Sequence, residues 1–520
     1  MNSARYRRYF FIAALLGGLS VFGQDTDTYN PYWVYFYDKE ITDEVGFDVS
    51  DPEFSHLTPR ALNRRAIRGT TRGPSYLDLP VSEVYIQDIL RSDIKVRAVS
   101  RWLNAISILA PASYIEELSQ NSTVKKTRRI HKVSKRSIKQ ISRDDEIYFH
   151  DTDYGDSFNQ NDQINAIAAH ELGYTGTDVW LLMLDTGFFT DHLAFQQERI
   201  VAEYDFIQSD SVTQNQENDP ANQHNHGTAT ASAAGGFIDG ELRGVAFDCK
   251  YLLAKTEIVN EEIQAEEDYF VAALEWGEAL GADVVSSSLG YLDWYTYADL
   301  DGETAVTTRG VDIAVGLGMV CVTAAGNEGN TDWHYIIAPA DADAVISVGA
   351  VDETNTIANF SSHGPTSDGR IKPEVLARGV STFAAGTAST TSFISANGTS
   401  LSTPLVAGAA ALILEAHPQW TPMMVRAALM MTADGSRSPD NTRGFGLIDV
   451  MAAINYDFGI VRGDVTEDDE LNVFDAVLLL EWVLNDIDIT EIQFEVADIN
   501  GDNQLNILDI VVLVEWILTL

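Results

Sequence analysis

The sequence predicts an α/β fold whose central parallel sheet is flanked by helices, preceded by a small α+β unit and followed by a small all-α repeat pair. Three observations predict it. The 520 residues exceed one ordinary domain, so several folded units are expected. Between residues 148 and 456, apolar β-rich runs alternate with helix-like stretches, a pattern typical of a parallel sheet covered on both faces. Residues 460–520 contain an internal duplication in which each copy leads into an apolar helix.

Composition and charge exclude several classes of protein. The formal net charge is −43, and it is unevenly distributed, because residues 1–143 carry +7 and residues 144–520 carry −50. This acidic excess argues against nucleic acid as a partner, since binding DNA or RNA requires Lys and Arg to displace counterions. A hydrophobic content of 45% excludes wholesale disorder. The two cysteines, Cys249 and Cys321, exclude a disulfide scaffold and are expected to be buried and unpaired.

Residues 1–23 have the pattern of a secretory signal peptide. Arg5, Arg7 and Arg8 precede an apolar run from Tyr9 to Val21, which is followed by small residues. The run is shorter than the roughly 20 apolar residues needed to cross a bilayer, and no later stretch reaches that length. We therefore expect an exported protein, secreted or associated with the cell surface, with no membrane span.

Residues 24–147 predict the small α+β unit. Strand-like patterns cover Tyr32–Tyr37 and Ile94–Val99, and Ala112–Leu118 has helical character. The unit closes in a basic run, Lys125–Lys132, which we interpret as an exposed, cleavable tail. Opposite net charges favour its association with the acidic segment that follows. The pattern indicates a removable partner of the next domain, with a basic linker as the alternative.

The predicted sheet places chemistry at the ends of its strands. An amphipathic helix, Asp268–Leu280, lies between strand-like runs. The runs are Asp178–Asp185, Tyr251–Ala254, Ala282–Ser286 and Gly318–Ala324. Sites in parallel sheets form at the carboxyl ends of the strands. The polar residues that close these runs are therefore the first candidates for a functional site.

Three glycine-flanked motifs supply the groups that nucleophilic catalysis needs. Asp185 follows a strand, His226 begins a small-residue stretch that can pack closely as a helix, and Ser400 lies at the start of a second helix-prone run. A hydroxyl nucleophile requires a base to take its proton and an acid to orient that base. A helix N-terminus also favours developing negative charge. His224, two residues before His226, is the alternative base.

A fourth motif supplies an oxyanion donor. Asn327 follows a buried strand and two small residues, Ala325 and Gly326, which permit a tight turn. Its side-chain amide can donate a hydrogen bond to an oxyanion, an interaction worth about 2.7–4 kcal/mol of transition-state stabilisation.

These motifs, in the order Asp, His, Ser, resemble the subtilase family of serine endopeptidases, and the resemblance covers residues 154–453. It implies a subtilisin-like sheet, with Ser400 as nucleophile, His226 as general base and then acid, Asp185 orienting the imidazole, and Asn327 as oxyanion donor. It also implies a primary specificity pocket with two uncharged walls, which favours an apolar or small residue before the scissile bond. The walls are Ser288, Leu289 and Gly290 on one side, and Ala324, Ala325 and Gly326 on the other.

This chain departs from the family pattern at two places. Leu401-Ser402 stands where the family usually has Met-Ala, and Ala229 stands where a second His is common. Leucine for methionine conserves volume, and neither change removes a catalytic residue.

The same resemblance implies that residues 24–147 are a propeptide, which aids folding and inhibits the enzyme, and that residues 148–456 are the peptidase domain. Maturation would cleave between about residues 142 and 153. The predicted function is a secreted serine endopeptidase, made as a self-processed zymogen, that forms an acyl-enzyme with peptide or protein substrates. A catalytically silent binding protein on the same fold is the alternative from another class.

Residues 460–520 resemble a dockerin module with two EF-hand-like loops, whose hard oxygen ligands suit Ca²⁺. The second loop matches the ligand pattern better and is expected to bind more tightly. Calcium in the peptidase domain is left open. The implied ligands are Asp464, Thr466, Asp468, Glu470, Asn472 and Asp475 in the first loop, and Asp498, Asn500, Asp502, Gln504, Asn506 and Asp509 in the second.

The module implies a cohesin or surface scaffold as partner. Val473-Phe474 and Ile507-Leu508 replace the small hydroxyl pairs common at the dockerin recognition positions. A self-packed calcium module or a surface anchor therefore remains an alternative to cohesin binding.

Overall fold

The computed structural model describes residues 29–40, 54–69, 73–130, 153–260, 263–458, 462–466, 471–485, 487, 489–501 and 504–519. The chain forms two compact units, Met1–Ile454 and Asn455–Leu520. The predicted signal peptide lies outside the described residues, and so does nearly all of the predicted maturation region, residues 142–153.

The strands are β1 (Tyr29–Phe36), β2 (Lys95–Ser100), β3 (Ala105–Pro111), β4 (Val124–Arg129), β5 (Trp180–Asp185), β6 (Ile200–Asp205), β7 (Phe237–Ile238), β8 (Leu242–Arg243), β9 (Lys250–Lys255), β10 (Val284–Ser287), β11 (Val320–Ala324), β12 (Ile346–Val351), β13 (Val375–Arg378), β14 (Thr382–Ala385) and β15 (Phe393–Ala396). The helices are α1 (Pro59–Arg68), α2 (Glu83–Ile89), α3 (Ala112–Leu118), α4 (Phe158–Asp162), α5 (Ala166–Glu171), α6 (Asn225–Gly235), α7 (Ala265–Leu280), α8 (Val306–Gly316), α9 (Thr399–Ala416), α10 (Pro422–Thr432), α11 (Val450–Ile454), α12 (Val473–Asn485), α13 (Glu491–Ala497) and α14 (Ile507–Thr519).

The central sheet has seven strands in the order β13-β12-β11-β10-β5-β9-β6, and every neighbouring pair is parallel. Its strands are nearly continuous apolar runs, because helices cover both faces. The order reverses beside β5, where β9 lies on one side and β10 on the other. Such a reversal opens a crevice at the carboxyl ends of the strands. The predicted α/β class is confirmed.

The N-terminal residues form a separate four-stranded antiparallel sheet, in the order β2-β3-β1-β4. One face packs against its own helices α2 and α3. The other face places Trp33 and Tyr35 against Val271 of α7 and Val306 of α8. This unit therefore completes its core with two helices of the larger sheet.

The basic run after Val124 differs from its prediction. Residues up to Arg129 form edge strand β4, which pairs with β1, and are not a free tail. Lys125 and Lys126, which point to opposite faces of the strand, are both exposed. The prediction from charge alone missed this strand, because Val124 is its single buried residue.

Helix α9 is the central helix of the core. Every residue from Thr399 to Leu414 is buried, and the helix packs on strands β10 to β13. By length and composition it is the one described helix apolar enough to cross a membrane, yet 89% of it is buried inside the protein. Its hydropathy is therefore that of a core helix.

The C-terminal unit contains α12, α13 and α14 around a small apolar core centred on Leu479 and Leu513. Those two residues occupy corresponding positions of the two sequence copies, since each lies four residues after the last acidic residue of its loop. The predicted all-α repeat pair is confirmed.

Candidate active site

Asp185 and His226 form a hydrogen-bonded pair at the end of β5. Asp185 is fully buried, and its Oδ1 lies 2.7 Å from His226 Nδ1. The second carboxylate oxygen accepts a hydrogen bond from Thr230 at 2.9 Å, and the Thr186 N–H donates to Oδ1 at 2.7 Å. With Nδ1 donating to the carboxylate, Nε2 of His226 is left as the acceptor, which is the tautomer a general base needs.

The surroundings of His226 change its basicity. Burial of the ring disfavours its charged form, but the negative charge of Asp185 and the hydrogen bond to it outweigh this effect, and the pKa of His226 is raised. Its side chain is nevertheless 20% exposed, so a substrate can reach the ring. The imidazole can therefore accept a proton and hold it.

Close packing of α6 explains the glycine that follows His226. A Cβ atom on Gly227 would lie 2.2 Å from the Gly187 carbonyl oxygen and 2.9 Å from Asp185 Cβ. All the residues of α6 from Gly227 to Gly235 are buried. The small-residue stretch therefore lets the helix carrying His226 lie directly against the strand end carrying Asp185.

Ser400 lies in the first turn of α9 and is 9% exposed. Pro404, four residues on, has no N–H and cannot bond the Ser400 carbonyl as a helix residue normally would. Ser288 fills that role, since its hydroxyl donates to the Ser400 carbonyl at 2.8 Å. This contact ties the end of β10 to the helix that carries Ser400.

In this structure the Ser400 hydroxyl donates to the Ser288 carbonyl, at 3.2 Å. A bond from Ser400 to His226 is not among the hydrogen bonds of the described residues. Catalytic hydrogen bonds are often long or misaligned without substrate, so this geometry is compatible with the predicted role of Ser400. Helices α6 and α9 pack side by side, which brings the two residues to one end of the sheet.

The two departures from the family pattern are neighbours in space. Ala229 and Leu401 belong to one buried cluster with Ala384 and Ala396. Each lies within one turn of a predicted catalytic residue. A small side chain on α6 and a leucine on α9 thus fill the contact between the helices.

Asn327 faces the N-terminus of α9 from the loop after β11. Its side-chain oxygen accepts hydrogen bonds from the Thr399 N–H at 2.9 Å and the Thr399 hydroxyl at 3.1 Å. The Thr399 N–H can only donate, so this end of the amide is the oxygen and the NH₂ group remains as a donor. Asn327 is exposed, so this donor can reach a bound substrate.

The predicted pocket walls follow neighbouring parallel strands. Ser288–Gly290 continues β10 and Ala324–Gly326 closes β11 and continues beyond it. Leu289 and Ala325 are buried, whereas Gly290 is partly exposed. The walls therefore flank the gap between two strand ends, on the same edge as Asp185.

Sequence reasoning missed two residues that hold predicted catalytic groups: Thr230 bonds Asp185, and Thr399 bonds Asn327. Thr230 lies four residues after His226 on α6, and that helical spacing was a signal that both face Asp185. No comparable signal marked Thr399. His224, the alternative base, instead accepts a hydrogen bond from the Asn215 N–H at 3.2 Å and lies beside Phe189.

Helix α7 presents acidic side chains to the N-terminal unit. Asp268 accepts a hydrogen bond from Ser107 at 2.8 Å and lies 3.0 Å from Arg97. Glu275, seven residues on, accepts a hydrogen bond from Ser100 at 2.6 Å. The spacing places both carboxylates on one face of the helix, and side chains of the N-terminal unit pair with that face.

Glu278 is the centre of the most buried part of this contact. It accepts hydrogen bonds from Arg65 at 2.6 and 2.8 Å and also pairs with Arg64, and all three side chains are at most 1% exposed. Asp78 binds Arg65 from the other side at 2.6 and 2.8 Å. Burial would raise the pKa of Glu278, but the two guanidinium charges outweigh it and lower that pKa.

The C-terminal loops bring together part of the predicted ligand set. Asp475 accepts hydrogen bonds from Thr466 N–H at 2.9 Å and Asn472 N–H at 2.8 Å. Asp509 repeats this pattern with Asn500 and Asn506, at 3.3 and 2.9 Å.

The charge and burial of these loops suit a hard cation. Asp464, Asp475, Asp498 and Asp509 are at most 5% exposed, although carboxylates normally stay in water. Gln504 is exposed at its predicted loop position. Among the described residues, no three His, Cys, Asp or Glu side chains are grouped so that they could hold a metal ion. Three predicted ligands lie outside the described residues: Asp468, Glu470 and Asp502.

The family model described as "Subtilase family" matches residues 176–446, more than half of the 520 residues. The chain belongs to the subtilase family. Subtilisin of Bacillus pumilus is 35% identical over 295 residues, covering 56% of this chain and 96% of that protein. Subtilisin E of Bacillus subtilis (strain 168) is 34% identical over 295 residues, covering 56% and 69%. This subtilase is a serine endopeptidase, as its relatives indicate.

Two further models match outside the peptidase region. Residues 31–145 match a "Peptidase S8 propeptide domain, Bacteroidota", and residues 462–518 match a "Dockerin type I domain". This subtilase therefore has an N-terminal propeptide and a C-terminal dockerin. Among solved structures, a protease from Pseudoalteromonas arctica PAMC 21717 has a TM-score of 0.48 and 23% identity, covering 59% of this chain and 99% of that one.

Proposed function

We propose that this subtilase cleaves peptide bonds through Ser400, His226 and Asp185, with Asn327 donating to the oxyanion. The observation that carries the proposal is the buried Asp185 carboxylate bonded to His226 Nδ1 at 2.7 Å. That bond fixes the imidazole tautomer, and the raised pKa of His226 suits a group that takes a proton from a hydroxyl.

The reaction proceeds in two steps. The Ser400 oxygen attacks the substrate carbonyl carbon as its proton passes to His226 Nε2, and the oxyanion formed accepts a hydrogen bond from Asn327. His226 then returns the proton to the leaving amine, and the acyl-enzyme is hydrolysed by water through the same base. Asp185 stays ionised throughout and stabilises the imidazolium.

We further propose that the protein is exported and that it removes its own propeptide. The apolar run after Arg8 supports export, and subtilisins are secreted. The propeptide docks on α7 through paired charges, which supports a tight inhibitory contact before cleavage. The predicted boundaries at residues 23, 147 and 456 remain predictions.

Labelling with a fluorophosphonate tests the assignment of the nucleophile. The processed wild type is expected to form an adduct at Ser400, detected by peptide mass spectrometry. Ser402→Ala is the matched control, because the Ser402 hydroxyl is buried on the same helix and, within the described part of the chain, bonds the Thr399 carbonyl alone, at 2.9 Å. Processed, folded protein without an adduct at Ser400 contradicts the proposal and favours the silent binding protein.

The acid limb of the pH–activity profile should reflect the protonation of His226. Only the neutral imidazole can take the Ser400 proton, and its pKa is raised above 6.5. The value of kcat/KM is therefore expected to fall to half its maximum above pH 6.5 as the pH is lowered. In Asp185→Asn the attracting charge is lost, so the limb of the residual activity should move to lower pH. A wild-type limb below pH 6.5 would contradict the role of the Asp185 charge.

We propose that the dockerin holds calcium through the two predicted loops, as dockerin type I domains do. In full-length Ser400→Ala protein, EDTA is expected to lower the melting temperature of the C-terminal unit by about 5 °C or more, because a ligand bound only to the folded state stabilises it. Asp475→Asn and Asp509→Asn should each reduce this shift, and Asp509→Asn should reduce it more.

Glu481→Gln is the control for the calcium experiment, since Glu481 is an exposed acidic residue on α12. It removes one negative charge without touching either loop. Equal melts with and without EDTA in the wild type would refute calcium binding by the module.

A dockerin implies a cohesin partner, and we propose the starts of α12 and α14 as the contact surface. Val473, Phe474, Ile507 and Leu508 are 54–68% exposed and occupy equivalent positions in the two repeats. Exposed apolar pairs of this kind are typical of protein interfaces. They support a partner whose contact surface is more apolar than that of a partner recognising small hydroxyl residues.

A further inference from the structure

The two walls of the predicted primary pocket are joined by a third segment. Ile337 donates its backbone N–H to the Ala325 carbonyl at 3.2 Å. Ala338 exchanges two backbone hydrogen bonds with Tyr291, at 2.8 and 3.2 Å. Ala325 belongs to one wall and Tyr291 directly follows the other. Residues 337–338 therefore cross from wall to wall.

The side chain of Ile337 lies in the gap between the walls. A Cβ atom on Gly290 would lie 2.4 Å from Ile337 Cδ1, and one on Gly326 would lie 3.1 Å from Ile337 Cγ1. Ile337 thus contacts a glycine of each wall at once. It is only partly buried, so part of this residue is open to solvent.

The surroundings leave this side chain little freedom to withdraw. A Cβ atom on Gly326, whose φ is +113°, would also meet Ser362 Oγ at 2.8 Å, so that wall is closely backed. Ile337 is β-branched, which restricts its χ1 rotamers. The volume between the two glycines therefore stays filled when a substrate arrives.

We propose that Ile337 closes the bottom of the primary pocket and restricts the residue before the scissile bond to a small side chain, such as glycine, alanine or serine. The inference rests on the proposed function, because it requires these walls to hold that residue. A phenylalanine or leucine side chain would need the space between Gly290 and Gly326 that the Ile337 carbons occupy.

The test uses processed enzyme from the full chain and two peptide anilides that differ only in the residue before the scissile bond, alanine or phenylalanine. The wild type is expected to prefer alanine. Ile337→Ala should raise the kcat/KM ratio of phenylalanine to alanine by about tenfold or more, since single methylenes in such pockets change rates by about 10–200-fold. Ile337→Val should act less, in the same direction.

Ile238→Ala is the matched control, because Ile238 is a partly exposed isoleucine in β7, outside both walls. It should leave the ratio unchanged. A wild type that prefers phenylalanine overturns the inference, as does an unchanged ratio in folded Ile337→Ala or Ile337→Val. If Ile337→Ala does not fold, the wild-type preference and the ratio measured for Ile337→Val still test the inference.

Fluorophosphonate labelling separates the two proposals. Unlabelled Ser400 contradicts the proposed function, whereas labelled protein with an unchanged ratio contradicts only the role of Ile337.

Discussion

Ser400→Ala is expected to accumulate as uncleaved precursor and to lose about 10⁶-fold in kcat, the loss known for the same kind of change in the related subtilisin. The variant is expected to retain its fold, because among the described residues the removed hydroxyl bonds the Ser288 carbonyl alone, while the Ser400 carbonyl keeps its partner. Once another protease has removed the propeptide, the residual rate should stay above that of water, since Asn327 and the pocket then act on the substrate.

Intact-mass measurement of the purified protein detects the precursor, and a peptide anilide measures the residual rate. Ser402→Ala serves as the control on the same helix, and it should be processed like the wild type. A processed Ser400→Ala chain, made in a host without other proteases able to cleave it, would show that propeptide removal does not depend on Ser400.

Glu278→Ala is expected to weaken propeptide docking by about 10²–10⁴-fold, because removing one partner of a buried ion pair costs about 3–5 kcal/mol. Arg64 would lose its carboxylate partner while its side chain stays 1% exposed, and Arg65 would keep one carboxylate, that of Asp78. Glu278→Gln keeps the shape and some hydrogen bonds, so its effect should be smaller.

Hydrogen exchange can measure this docking in the Ser400→Ala precursor, in which the propeptide stays covalently attached to the peptidase domain. Amides of β1, β3 and β4 should exchange faster in Glu278→Ala by the factor given above, while those of β10–β12 keep their rates. Glu198→Ala, at an exposed glutamate away from α7, is the control. Unchanged protection of the propeptide strands would show that Glu278 does not anchor the propeptide.

The elements that carry a strong local pattern were predicted closely. Ala112–Leu118 was predicted as a helix and is α3, and the runs ending at Asp185 and Ala324 are β5 and β11. Their apolar runs, flanked by glycine or polar residues, are sufficient because a buried parallel strand has few alternatives. The basic run after Val124 was misjudged, since an edge strand needs only one buried side chain.

The sequence by itself determined the family, the order of the Asp, His and Ser motifs and the duplication of the C-terminal loops. These depend on residue types at short spacings, which a single chain displays directly. The tertiary structure alone decided which distant groups meet: Ser288 with the carbonyl freed by Pro404, Glu278 with two propeptide arginines, and Ile337 with a glycine of each pocket wall. Such contacts depend on how helices and strand ends pack together, and no local periodicity encodes that packing.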